Sequence, residues 1–255
     1  MINESRPLVI RAGGQVIAAE NRIRVMGRTS MSLMPDYGEI EIYNLDDADR
    51  ARINGASVIS VSGESDSTFC YGEIEDVYTH TSGTTTITTV CVSDGKTFWD
   101  TRVSKSVGSG ASIRDSLLSI LKNAPLASFL AENKRMLRGQ TFTGRLPDCV
   151  STLARSADAR AYFTHGALHV TTIGRSEEIW ELKSDDVVSV NQANGVLMVR
   201  IRVKGFPVGT IMRYSGKQYR LITQSYEADN WNGAWRSELT LLDEAELDKW
   251  GMGGG

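Results

Sequence analysis

His165 and His169 stand four residues apart, a spacing that puts a metal-binding pair on one face of a helix. The residues around them, ARAYFTHGALHVTT, alternate instead. The pair therefore reads as part of a β-hairpin, His165 in an exposed turn and His169 on a strand face. No third ligand lies nearby in sequence, and a metal site needs further convergent ligands. Cys149 with a histidine would make a nucleophile and its base, but its apolar helical surroundings read as a buried thiol. Gly108 and Gly110 in VGSGAS have the composition of a phosphate loop opening a helix. The lysine and preceding strand of such a loop are missing, so the stretch reads as a flexible joint. Glu39 and Glu41 share one strand face. Paired carboxylates can do acid–base work, yet on a solvent face they are simply solvated. Trp231 and Trp235 flank an Asn-Gly turn and are the interaction candidates, either as a protein-binding knob or as a cap on the core. These residues do not converge on a catalytic set. No catalytic, metal or cofactor residue is assigned, and the chain is not expected to be an enzyme.

Composition narrows the remaining classes. The chain has 255 residues, a net charge of −3 and 41% hydrophobic residues, the balance of an ordinary globular protein. It lacks the basic excess of a nucleic-acid-binding protein, so specific nucleic-acid binding is not expected. The three cysteines, Cys70, Cys91 and Cys149, are widely spaced and read as reduced core residues. No apolar run approaches the length of a membrane span, and the N-terminus does not look like a signal peptide.

The elements that would hold these residues are mostly strands. GQVIAAEN, RIRVMGR, GEIEIYN, ASVISVSGE, STFCYGEIEDVYTH and GTTTITTVCVSD alternate and are separated by turn residues. Near Ser106 the character changes. Ser112 followed by Asp115 resembles a capping box opening a helix, PLASFLAENKRML reads as a second helical piece, and Pro147 opens a third. After the histidine hairpin, DDVVSV, GVLMVRIRV, GTIMRYSG, KQYRLITQSYEAD and AWRSELTLLDE return to strands, with Asn194-Gly195 and Asn232-Gly233 as turns. The expected organisation is a first β-barrel domain over 1–105, an α+β insertion over 106–175, a second β-barrel region over 176–245 and a flexible tail over 246–255. No fixed-period repeat is visible. The fold class is mainly β with an α+β insertion.

The order of these pieces resembles the baseplate hub proteins of tailed bacteriophages, in particular of contractile-tailed ones. EIEIYNLDDADRARI runs from a strand into a short helix, and GASVISVSGE, FCYGEIEDV and TVCVSDG follow as strands. GASIRDSLLSIL, LPDCVSTLARSADARAYFTHGALHV and the closing KQYRLITQSYEADNWNGAWRSELTLL complete the match. The short helix would cover one open end of a barrel and bury Leu45 and Ile53. The resemblance implies tail-tube-like barrel domains and a non-enzymatic structural role. It implies a homotrimeric, pseudo-sixfold ring joining the tail tube protein to the central spike protein, with baseplate wedge proteins and the tape measure protein as further neighbours. It also implies a bore that passes DNA without binding it, and a place in the virion tail after assembly in the host cytoplasm. The alternative is a carbohydrate- or receptor-binding β protein of a tail, with Trp231 and Trp235 stacking on sugar rings.

Overall fold

A computed structural model describes residues 8–246 apart from 19, 64–67, 123, 194, 203, 232 and 233. The turns expected at Asn194-Gly195 and Asn232-Gly233 fall wholly or partly outside the described residues, as does the expected tail from 247 onward. The first third consists of β1 (Val9–Ala12), β2 (Gln15–Ile17), β3 (Ile23–Ser30), β4 (Asp36–Tyr43), α1 (Asp47–Gly55), β5 (Val58–Ser62), β6 (Thr68–Ser82) and β7 (Thr85–Asp94). The middle holds α2 (Lys96–Asp100), β8 (Arg102–Val107), α3 (Ile113–Ile120), β9 (Leu126–Leu130), β10 (Gln140–Arg145), α4 (Leu146–Ser156), β11 (Arg160–Thr164) and β12 (Ala167–Thr171). The last third returns to β13 (Ile179–Glu181), β14 (Val187–Ala193), β15 (Val196–Arg202), β16 (Ile211–Tyr214), β17 (Lys217–Asp229) and β18 (Trp235–Asp243). The chain is mainly β, with large antiparallel sheets.

One thirteen-stranded sheet joins the two ends of the chain, in the order β14-β15-β18-β17-β3-β4-β7-β6-β5-β1-β2, with β16 and β13 branching from β17. The stretch from β14 to β6 is a wall of eight strands, antiparallel at every step. Alternation sets its two faces. Ile40 and Ile42 point inward and are fully buried, while Glu39 and Glu41 point outward. The C-terminal strands meet the N-terminal ones at β17–β3, in register from Thr223 opposite Ser30 to Asp229 opposite Arg24.

The wall is one motif used twice. β3, β4, β5, β6 and β7 pair among themselves as β14, β15, β16, β17 and β18 do. Each set has two hairpins side by side and a short strand on the first part of its long one. The long strands match in detail. Glu75 bulges out of β6 between Ile74 and Asp76, and Ile222 bulges out of β17 between Leu221 and Thr223. Up to the bulge each pairs with its short strand, and beyond it only with the wall, so each strand turns a corner there. Spacing between equivalent positions differs from strand to strand, so no fixed period shows in the sequence.

Three large hydrophobic clusters, beside a small one of Ile222 and Leu242, lie among the described residues. One lies behind β3–β7 and takes Tyr226 and Ala228 from β17. One lies behind β14–β18, with Tyr162 added. The third sits within the middle segment, around Leu117, Leu146, Val150 and Leu153. The acidic stretch after β4 forms α1. Asp46 caps it by accepting from the Asp49 backbone N–H at 2.7 Å. Asp49 in turn accepts from Ala18 N–H at 2.8 Å, and Leu45 and Ile53 are buried in the first cluster.

In the middle segment, Ser112 caps α3 through Asp115 N–H, and Pro147 stands in the first turn of α4. The second helical piece expected at PLASFLAENKRML is instead the strand β9. Its Leu126–Leu130 pairs in parallel with β12, so tertiary pairing outweighs helix propensity over a short window. The expected flexible joint is bonded in place. Gly110 N–H donates to the Met136 carbonyl, and Arg135 donates back to the Gly110 carbonyl.

Candidate functional site: a strand wall with two open margins

The histidine hairpin forms as expected, but neither imidazole is exposed. His165 and Gly166 make its turn with positive φ angles of 50° and 75°, as a two-residue hairpin turn requires. The tip is pressed against the end of β7. The backbone N–H groups of His165 and Gly166 both donate to the Asp94 carboxylate, and Tyr71 packs edge-on to His165. A Cβ on Gly166 would meet the Tyr71 ring at 2.8 Å. Burial lowers the pKa of His165. His169 stacks on Tyr162 with ring centres 5.1 Å apart, and burial brings its pKa down to about 4. Its Nδ1 meets both Ser128 Oγ, at 2.9 Å, and Glu177, at 3.7 Å. A catalytic triad needs serine and acid on opposite ring nitrogens, so this trio is a packing arrangement. Asp94 is pushed up to about 7 by burial, with Asp36 and Glu73 adding repulsion and the two N–H groups opposing it. Asp36 sits directly across the ladder and is itself raised to about 6, mainly by burial.

The other singled-out residues scatter. Cys70 and Cys149 are buried free thiols and Cys91 is half-buried. Cys70 is pushed up to about 12 by burial, which makes it a poor nucleophile. Trp235 is half-buried, edge-on to Phe69 at 6.5 Å, whereas Trp231 is 64% exposed. Glu41 is not simply solvated. It accepts from Tyr43 and pairs with Arg24, which also binds Glu227, which binds Arg236.

That chain of ion pairs runs across the outward face of the wall, from β4 through β3 and β17 to β18. Arg200 and Glu238 continue it between β15 and β18, and Arg22 binds the buried Asp229. Each of these arginines is matched by a carboxylate, while Arg28 and Arg202 on the same face are exposed and have no ion pair among the described residues.

The wall's margins were not singled out from sequence. β14 is exposed along nearly its whole length on both faces, with Val188 65% and Val190 39% exposed. At the other margin, β5 covers β6 only as far as Glu73. From Glu75 to Ser82, among the described residues, no strand pairs with the outer side of β6. VVSVNQA in β14 contains no acid, lysine, arginine or proline, the usual guards of an open edge, and on β6 none follows Glu75 and Asp76, through VYTHTS. The signal was present in the sequence as two uncharged alternating runs, but only the topology shows that they lie at opposite margins.

No protein-family model and no curated protein matches the sequence. Solved structures do match in fold. The 43 kDa tail protein of prophage MuSo2 from Shewanella oneidensis aligns with a TM-score of 0.69 at 9% identity, over 95% of this chain and 98% of that one. A tail protein from Neisseria meningitidis aligns at 0.66 and 11% identity, over 94% and 97%. The c3393 protein of E. coli is a component of the type VI secretion system with structural similarity to the bacteriophage T4 tail proteins gp27 and gp5. It aligns at 0.64 and 10% identity, over 92% of this chain and 76% of that one. At these identities the likeness is one of fold, and this chain has the fold of bacteriophage tail proteins, in keeping with its resemblance to the baseplate hub family.

Proposed function

We propose that the chain is a non-enzymatic tail hub, three copies of which close into a ring with sixfold character in its wall. The observation that carries this reading is the doubled motif. Each chain supplies two copies of one four-stranded unit, already joined edge to edge at β17–β3. The units correspond to the barrel domains expected over 1–105 and 176–245, and the middle segment to the insertion between them. In the ring the outward face of the wall lines the bore, because both cores lie behind it. Four of its arginines, Arg22, Arg24, Arg200 and Arg236, are already held by carboxylates, which weakens its attraction for DNA and lets DNA pass. The tail tube protein and the central spike protein are the partners at the two ends, with wedge and tape measure proteins as neighbours. The protein's place is the virion tail, reached from the host cytoplasm.

Sedimentation of the purified chain, with negative-stain imaging, tests this. A closed trimer with a central hole is expected, and a chain that stays monomeric at all concentrations overturns it. The exposed Trp231 favours a second reading, a carbohydrate-binding tail protein. Glycan binding lost on Trp231→Ala would support that one.

A further inference from the structure

We infer that the contact between neighbouring copies is a strand ladder of stated register. The outer edge of β6 in one copy pairs antiparallel with β14 of the next, and Thr81 stands opposite Val190. The inference rests on the ring reading above and takes it to individual residues.

The internal junction supplies the template. The doubled motif makes β6 the equivalent of β17 and β14 the equivalent of β3, and β17 and β3 are the strands that join the two units inside one chain. A ring that repeats this step must join β6 to β14 between chains. Register follows from the ladders. Thr223 after the β17 bulge pairs with Thr240, as Asp76 after the β6 bulge pairs with Cys91, so Ala228 corresponds to Thr81. Val199 pairs with Leu239 and Val190, as Ile40 pairs with Val90 and Val25, so Val190 corresponds to Val25. The internal ladder sets Ala228 opposite Val25. Carried over, it sets Thr81 opposite Val190, Thr79 opposite Gln192 and Ser82 opposite Ser189.

Burial points the same way. Val25, covered by its neighbouring strand, is fully buried, whereas its equivalent Val190 is 39% exposed on the core side of an edge with no neighbour. The parity of the wall also fits. Eight alternating strands end on strands of opposite direction, so copies related by rotation about the bore meet antiparallel. Two different margins make the contact head-to-tail, as a ring requires.

The test is disulfide trapping in the full-length chain. Opposed residues of an antiparallel ladder lie within disulfide reach. Oxidation of Thr81→Cys/Val190→Cys is expected to convert most of the chain to a covalent trimer on a non-reducing gel. Each single variant, with its native cysteines, stays uncrosslinked, as does the offset pair Thr79→Cys/Val190→Cys. Unchanged melting of the variants shows that they fold. If the unmodified chain sediments as a trimer but the matched pair does not crosslink, or the offset pair crosslinks instead, the register is wrong and the ring stands. If the unmodified chain is monomeric throughout, the ring reading falls with it.

Discussion

Where the first half of the wall sets Glu73 opposite Ser93, the second sets Arg220 opposite Leu242 at the equivalent place. Glu73 is half-buried and accepts from the Thr97 hydroxyl. Arg220 is fully buried. It pairs with Glu244 and donates to the carbonyls of Gly209, at 2.8 Å, and Arg175, at 3.0 Å. The two halves also close their opposite ends differently: α1 covers the first core, while a loop bearing Phe206 and Val208 packs into the second. Yet at one end of the strands both halves use a buried ionisable group to hold the insertion. Asp94 grips the tip of its hairpin, and Arg220 grips the segment by which the chain leaves it. Strand order and bulge position are what the halves share. Their side chains differ, and in each half the buried ionisable group has a partner.

Removing such a partner should break this comparison most sharply. Arg220→Met leaves the Glu244 carboxylate buried and unpaired, and urea unfolding should show a loss of about 3–5 kcal/mol. Tyr226→Ala comes next. The side chain stands on β17 but packs against Gly27, Gly38 and Cys70 in the first core, so it ties the halves together. Its loss should cost about 3 kcal/mol in the same measurement, near the low end for a buried aromatic.

The third prediction concerns pH. Asp94 and Asp36 have folded-state pKa values raised to about 7 and about 6, so they retain protons that the unfolded chain releases. Their effect is falling stability as pH rises from about 4 to 7. His169 and His165 are lowered, His169 to about 4, so they lose stability as pH falls through the same window. The two trends oppose each other and leave a shallow profile. Asp94→Asn should unmask the histidines, so that melting temperature rises with pH between about 4 and 6.5 more steeply than in the parent. A profile that becomes flatter instead would show that Asp94 carries no titrating charge there.

Smaller effects separate the halves' caps. Asp46→Ala removes the α1 cap, which only the first half possesses, and should cost about 1 kcal/mol. Trp231→Ala, at an exposed turn, should change stability by less than about 0.5 kcal/mol.

Much of the wall was legible before any coordinates. Ile40, Ile42, Val90 and Val92 alternate with polar neighbours, and that pattern sufficed to place β4 and β7 and their inward faces. α4 announced itself through Pro147 and its apolar side. β9 did not, because five residues cannot separate helix from strand by period and its partner β12 lies far along the chain. The histidines were legible as a hairpin but not as half-buried, since His165 is covered only by docking of the turn onto Asp94 and Tyr71, and His169 only by Tyr162 and Ser128. The margins were the least legible part. An edge is defined by what fails to pair with it, and no run of residues states that about itself.

The insertion enters after β7 and leaves before β13, and everything that holds it lies at one end of the strands: Asp94, Ser32, Arg220 and Glu244. The β6–β7 hairpin tip and α1 lie at the other end, tied together where Asn44 bonds to Thr86. In the ring proposed above, three chains closed into a cylinder would thus present six strand units, three of them bearing α1, to whatever stacks on one rim, and three large appendages on the other. In that ring a single unrepeated segment would be enough to turn a six-way socket into a three-way one.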